Sequence, residues 1–337
     1  DWSATAPDGH PLEDRDEAAV SVSTDGGESF GEPINLNDHS DATMMIGGQS
    51  YPLHFQTGFG RPFVAAHDGV VLAVANGGPP SDNQPPDEVY EGSFGEANPM
   101  VLGRSTDQGR TWTVTQFTEP IFQAAGSHTG MGWTPEGGRD GTWVLAYSAT
   151  PGNSRTAGKS DIVVRRSTDR GVTWTDPVAI NSDDPTDQYT SFYPQLSVAP
   201  NGRVDVVWQD NRELTDYLVE VRYTYSTDGG ETWAPNMGVT DRPINFNLGI
   251  SFNSDLRQGP GVASTDSYAA IAWADTRFAD EETQTQDNFG IIAQFAPLPA
   301  EETNTGWRIL AAVLGGLVLA GIILLGIQFV RSTNRGS

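Results

Sequence analysis

Short alternations of apolar and polar residues recur along most of the chain. They are clear at 19–23 (Ala-Val-Ser-Val-Ser), 162–166 (Ile-Val-Val-Arg-Arg) and 219–225 (Val-Glu-Val-Arg-Tyr-Thr-Tyr). A period of two predicts strands with alternating faces. Each run leads into a cluster of Ser, Thr, Asp and Gly and then a second extended stretch, such as 233–239, which is the pattern of a hairpin. Two further strands precede the hairpin. In one unit they are 193–199 and 203–208, joined by Pro200-Asn201-Gly202; elsewhere they are 61–66 with 70–75 and 261–264 with 268–273. The unit is therefore four antiparallel strands with no helix, and the fold class is all-β. Such sheets repeated about an axis make a β-propeller. A two-sheet sandwich gives no reason for one hairpin to recur.

Residues 309–330 break the pattern. They form a run of 22 residues whose one polar member is Gln328. As a helix the run covers a hydrocarbon core of roughly 30 Å, which predicts a transmembrane segment. Arg331 and Arg335 follow it. Cationic flanks stay in the cytoplasm, which places the preceding chain outside the cell. The expected organisation is an ectodomain at 1–297, a stalk at 298–308, a single membrane helix at 309–330 and a cytoplasmic tail at 331–337.

Charge and composition narrow the partners. Over 337 residues, 44 acids face 19 Lys and Arg, a formal charge of -25. So acidic a chain repels phosphate backbones, which excludes nucleic acid as the expected partner. The absence of Cys removes disulfides, thiolate metal sites and a Cys nucleophile. There is no Gly-x-Ser-x-Gly elbow, phosphate-binding loop, paired-His zinc motif or dinucleotide fingerprint.

One octapeptide occurs four times: Ser23-Thr-Asp-Gly-Gly-Glu-Ser-Phe30, Ser105-Thr-Asp-Gln-Gly-Arg-Thr-Trp112, Ser167-Thr-Asp-Arg-Gly-Val-Thr-Trp174 and Ser226-Thr-Asp-Gly-Gly-Glu-Thr-Trp233. In a hairpin turn, Asp25, Asp107, Asp169 and Asp228 accept backbone N–H groups, Gly27, Gly109, Gly171 and Gly230 supply positive φ, and the closing aromatic packs back on the hairpin. The octapeptide resembles the Asp-box, or bacterial neuraminidase repeat, of sialidases and sialidase-like propellers. Trp208-Gln-Asp-Asn-Arg212 and Trp273-Ala-Asp-Thr-Arg277 also resemble strand ends of such proteins. The resemblance spans 1–297 and implies a six-bladed propeller. The chain supplies seventeen strands against about twenty-four for a closed six-bladed ring, so the expectation is that it begins within a blade, with further blade sequence upstream; a five-bladed ring is the rival.

In an up-and-down blade the octapeptides share one end with the turns between first and second strands. The long connections at 38–60, 77–99, 181–191 and 278–288 belong to the other end, where ligand contacts are expected. They and their edges carry Asp82, Asp87, Glu88, Tyr90, Glu91, Asp183, Asp184, Asp187, Tyr189 and Tyr193. This set reads as solvated surface, as oxygen ligands for Ca²⁺, or as stacking surface for sugars; no other cofactor is expected. The resemblance also implies a test for sialidase chemistry, which uses an Arg cluster for the substrate carboxylate, a Tyr nucleophile with a Glu base, and an Asp acid. Arg61, Arg212 and Arg277 are the candidates for the carboxylate-binding fork, against a reading in which Arg212 and Arg277 pair with Asp210 and Asp275. Glu213 and Glu220 are base candidates by location alone. The expected function is a cell-surface module that binds glycans or a protein partner. The alternatives are a membrane-anchored exo-α-sialidase and a structural component of a surface complex.

Overall fold

The structure is a computed structural model. It describes residues 18–46, 48–56, 63–79, 99–119, 130–133, 142–149, 160–181, 190–212, 218–245, 248, 259–279, 282 and 287–295. The membrane segment at 309–330, with its stalk and tail, lies outside the described residues. Among those residues, no helix is long and apolar enough to cross a membrane.

An opening hairpin pairs β1 (Ala19–Val20) with β2 (Ile34–Asn35), and a second pairs β3 (Thr43–Ile46) with β4 (Gln49–Pro52). The first full sheet follows: β5 (His54–Gln56) and β6 (Phe63–His67) share one edge of β7 (Val70–Gly78), and β8 (Met100–Ser105) and β9 (Thr113–Gln116) continue outward. The second sheet runs β10 (Gly130–Trp133), β11 (Trp143–Ala149), β12 (Asp161–Ser167) and β13 (Val178–Ala179). The third runs β14 (Ser191–Val198), β15 (Val204–Asp210), β16 (Leu218–Ser226) and β17 (Met237–Gly238), with β18 (Ile244–Asn245) also on β16. The fourth runs β19 (Gly261–Ser264), β20 (Tyr268–Asp275) and β21 (Asp287–Gln294). Among the described residues every strand pair is antiparallel, and apart from β5 on β7 and β18 on β16 the neighbours follow chain order, as up-and-down blades require.

Among the described residues the seventeen strands read from the sequence are present, with four more: β3, β4, β5 and β18. The segment 38–60, read as an open connection, instead buries Met44, Ile46, Tyr51, Leu53 and Phe55 against the first sheet. The buried Asn37 accepts the Phe55 N–H at 2.7 Å and so ties β5 down.

The sheets stack face to face. Leu72, Val74 and Leu102 of the first pack on Trp143, Leu145 and Tyr147 of the second. Val144, Ile162 and Val164 on the other face of the second meet Val204, Val206 and Trp208 of the third. Val207, Val221 and Tyr223 then meet Ile271, Trp273 and Phe289 of the fourth. The inner strands touch in sequence order, β6 with β10, β10 with β14, β14 with β19. That is a propeller's arrangement about an axis. A middle strand is covered on both sides, which is why all seven positions of β15 are buried although three are polar. Each fully buried large side chain contributes on the order of 1.5–3 kcal/mol.

The four octapeptides are the turns between third and fourth strands, and all close alike. The Ser Oγ donates to Asp Oδ1 at 2.7–2.8 Å and accepts the Gly N–H at 2.8–2.9 Å. Asp Oδ1 then accepts the amide of Ser29, Thr111, Thr173 or Thr232 at 2.8–2.9 Å, and Oδ2 accepts the hydroxyl of that residue. These bonds hold the carboxylates ionised. The side chain and amide of Ser29 lower Asp25, and the amide and hydroxyl of Thr111 lower Asp107, both well below the usual range. Burial opposes the effect at Asp169, yet the bonds from Thr173 and Ser167 prevail and its pKa falls to about 2. Asp228 is lowered against burial in the same way. The chain is left-handed at Gln108 (φ 66°) and Arg170 (φ 64°), then at Gly109 (φ 86°) and Gly171 (φ 79°).

Each octapeptide after the first also docks on the preceding blade. A β-carbon on Gly109 would lie 3.0 Å from Val22, one on Gly171 3.1 Å from Leu72, and one on Gly230 3.5 Å from Val144. Arg104 donates to the Arg170 carbonyl at 2.8 Å, and Arg166 pairs with Glu231 at 2.8 Å. The glycine therefore serves two needs, a left-handed turn and close approach of the neighbouring sheet.

Candidate functional site

Strand direction sorts the chain's chemistry to two ends. Arg170 donates to the Asp68 carbonyl in the turn between β6 and β7, so the octapeptides share an end with the first-to-second-strand turns. The ends of β15 and β20 lie at the other end, about 23 Å away along a seven-residue strand.

The octapeptide end carries a buried group that looks chemically active. Arg203 donates through Nε to both Asp205 oxygens at 3.0 Å, and Asp205 also accepts from Tyr223 Oη at 2.5 Å and Ser264 Oγ at 2.6 Å. The Arg203 guanidinium reaches the carbonyls of Thr265, Asp266 and Tyr268 and lies 3.8 Å from the Phe295 ring centroid. Burial, then the Asp205 charge, push the Tyr223 hydroxyl far up. Arg203 and Asp205 are 3% and 0% exposed, so no ligand reaches them. The group staples the third sheet to the fourth and satisfies the Asp205 carboxylate that β15 buries.

At the opposite end, both Trp-x-Asp-x-Arg segments close on their own carboxylates. The Asp210 oxygens accept Trp208 Nε1 at 3.3 Å, Ser191 Oγ at 2.9 Å, the Arg212 amide at 2.7 Å and the Arg212 guanidinium at 3.1 Å. Asp275 accepts Trp273 Nε1 at 2.9 Å, the Arg277 amide at 2.7 Å and the Arg277 guanidinium at 2.8 Å. Burial raises the Asp210 pKa against the bonds from Arg212, Ser191 and Trp208. Asp210 has no exposed surface, so it is scaffold rather than a proton donor to a ligand. Burial would depress Arg277, but Asp275 and then Asp241 outweigh it and its pKa rises. Its second partner, Asp241, lies 2.8 Å away on the segment after β17. Glu220 is held by Arg222 at 2.6 Å. Thus the structure places Arg212 and Arg277 on adjacent sheets, each engaged by the carboxylate two residues before it. Arg61, Glu213 and the acidic loop residues from Asp82 to Tyr189 lie outside the described residues. Among the described residues, no group of His, Asp and Glu could hold a metal.

Tyr193, read from the sequence as loop-edge stacking surface, is instead buried in the inner strand β14, 2% exposed, where it takes φ 54° in a β-bulge, a costly conformation for a residue before proline. One feature was not read from the sequence, and it is aromatic. Phe289 lies directly across the ladder from Trp273, their rings stacked at 6.5 Å. Phe278, 63% exposed, lies tilted 5.9 Å from Phe289 and carries the aromatic contact to the surface. The Arg277 guanidinium sits 3.9 Å from the Phe289 centroid. The cross-strand register that unites these residues is not visible in linear spacing.

The sequence family described as BNR/Asp-box repeat matches residues 224–235, the fourth octapeptide. Solved structures similar to this chain include a Hadza microbial sialidase (14% identity, TM-score 0.42, covering 77% of this chain and 45% of that one). Trypanosoma rangeli sialidase is another (14%, 0.43, 82% and 41%). A third is an alpha-l-arabinofuranosidase from Fusarium graminearum (16%, 0.48, 88% and 77%). The chain spans less than half the length of these two sialidases. No curated protein sequence matches it. Asp-box turns on stacked four-stranded blades make the fold a sialidase-like propeller.

Proposed function

We propose that this chain is a cell-surface propeller whose long-connection end binds glycans, free or carried by a partner protein, with residues 309–330 holding it in the membrane. The division of labour between the two ends carries this reading. The octapeptides and the Arg203 staple occupy one end with blade-to-blade contacts. The other end combines long connections with strand termini that tight Trp–Asp–Arg bonding holds in place, the preorganised setting binding requires. The alternative, an exo-α-sialidase, needs guanidinium groups available to a substrate carboxylate. Arg212 and Arg277 are already engaged by Asp210 and Asp275, which favours the binding module.

The test applies the detergent-solubilised full chain to immobilised glycans and, separately, to a fluorogenic sialoside. Glycan retention without sialic acid release is the expected result, and turnover of the sialoside would establish the hydrolase instead. Extraction from membranes by detergent but not by concentrated salt is expected of the anchor; recovery in the salt wash would refute it.

A further inference from the structure

The exposed aromatic at the long-connection end narrows the ligand class, and this step rests on the glycan-binding reading above. A lone exposed Phe is ordinary surface. Phe278 differs because it is supported. Its ring lies tilted against Phe289, which stacks on Trp273, both buried. The Ala279 N–H bonds to the Thr276 carbonyl at 2.9 Å, a turn that holds the Phe278 backbone, and buried Thr276 accepts the Asn245 amide across the sheet boundary. At 63% exposure the Phe278 ring offers a flat, weakly negative surface to polarised C–H bonds.

The charge beside it is acceptor-rich. Arg277 is matched by two carboxylates, Asp275 and Asp241. The exposed Arg242 beside Asp241 brings the local count to two cations against two carboxylates, so the cluster carries no net positive charge to draw an anion. The Asp241 side chain is 65% exposed, so its oxygens reach solvent and can accept hydroxyl groups. The chain's formal charge of -25 opposes an anionic ligand further. We infer that Phe278 and Asp241 form a subsite for a neutral sugar, with the C–H face of the ring on Phe278 and hydroxyls donated to Asp241, and that this subsite selects against sialylated glycans.

The experiment titrates the full chain with neutral oligosaccharides and with their sialylated counterparts. The neutral member of each pair should bind more tightly. Phe278→Ala should weaken it on the order of tenfold with the melting temperature unchanged, and Phe278→Trp should restore binding. Tighter binding of the sialylated member, or equal affinity of Phe278→Ala and wild type for the neutral one, would overturn the subsite while leaving glycan binding intact. Binding of neither member would remove both this inference and the reading beneath it.

Discussion

In the octapeptide at 23–30 and in the one at 167–174 the same four hydrogen bonds close the turn. Yet a β-carbon on Gly27 would meet nothing within 4 Å, while one on Gly171 would meet Leu72 at 3.1 Å. Phe30 is 65% exposed, whereas Trp112, its counterpart in the second copy, is 7% exposed and donates to the Gly109 carbonyl. No preceding sheet covers the first copy among the described residues. The comparison separates two jobs within one motif. The Ser–Asp–hydroxyl bonding is local and forms without a neighbour; the glycine and the aromatic join blade to blade.

The largest effect should come from the aromatic. Trp112→Ala should cost about 3–5 kcal/mol in chemical denaturation, the range for a buried aromatic truncated in a packed site. Next come the glycines. Gly27→Ala carries only the left-handed backbone penalty of about 1–2 kcal/mol. Gly171→Ala adds the encounter with Leu72, about 2–3 kcal/mol in all. Equal costs at the two positions would mean that docking contributes nothing. Asp169→Asn should cost about 1–2 kcal/mol through weakened hydrogen bonds. It should also flatten the acid limb of stability. The folded pKa of about 2 lies below the unfolded value near 3.9. The carboxylate's contribution is therefore complete above about pH 4 and is lost as pH falls through about 2. Melting temperatures of wild type should fall more steeply than those of the variant across that window. Phe30→Ala, at the exposed copy, should stay within about 0.5 kcal/mol of wild type.

Much of the fold was legible because its signals are local. Alternation marked the strands, and the repeated Ser–Asp–Gly turn marked where third and fourth strands join. The missed elements depend on distant partners. Met44, Tyr51 and Phe55 form a strand face only because the first sheet is there to receive it, and β18 exists as a two-residue continuation of pairing on β16. The candidate site was legible at Trp208–Arg212 and Trp273–Arg277 as motifs. That each Arg is spent on its own Asp follows from the exchange of bonds at the strand end. Phe278 was not legible, since its support arrives eleven positions later, at Phe289, across the β20–β21 ladder.

The separation of scaffold and recognition is tested most directly by measuring melting temperature and affinity for a neutral oligosaccharide on two variants of the full chain, Asp169→Asn and Phe278→Ala. The account predicts opposite responses: Asp169→Asn melts lower and binds as wild type does, while Phe278→Ala melts as wild type does and binds about tenfold more weakly. Loss of affinity in Asp169→Asn with Phe278→Ala unaffected would place recognition at the octapeptide end and contradict it.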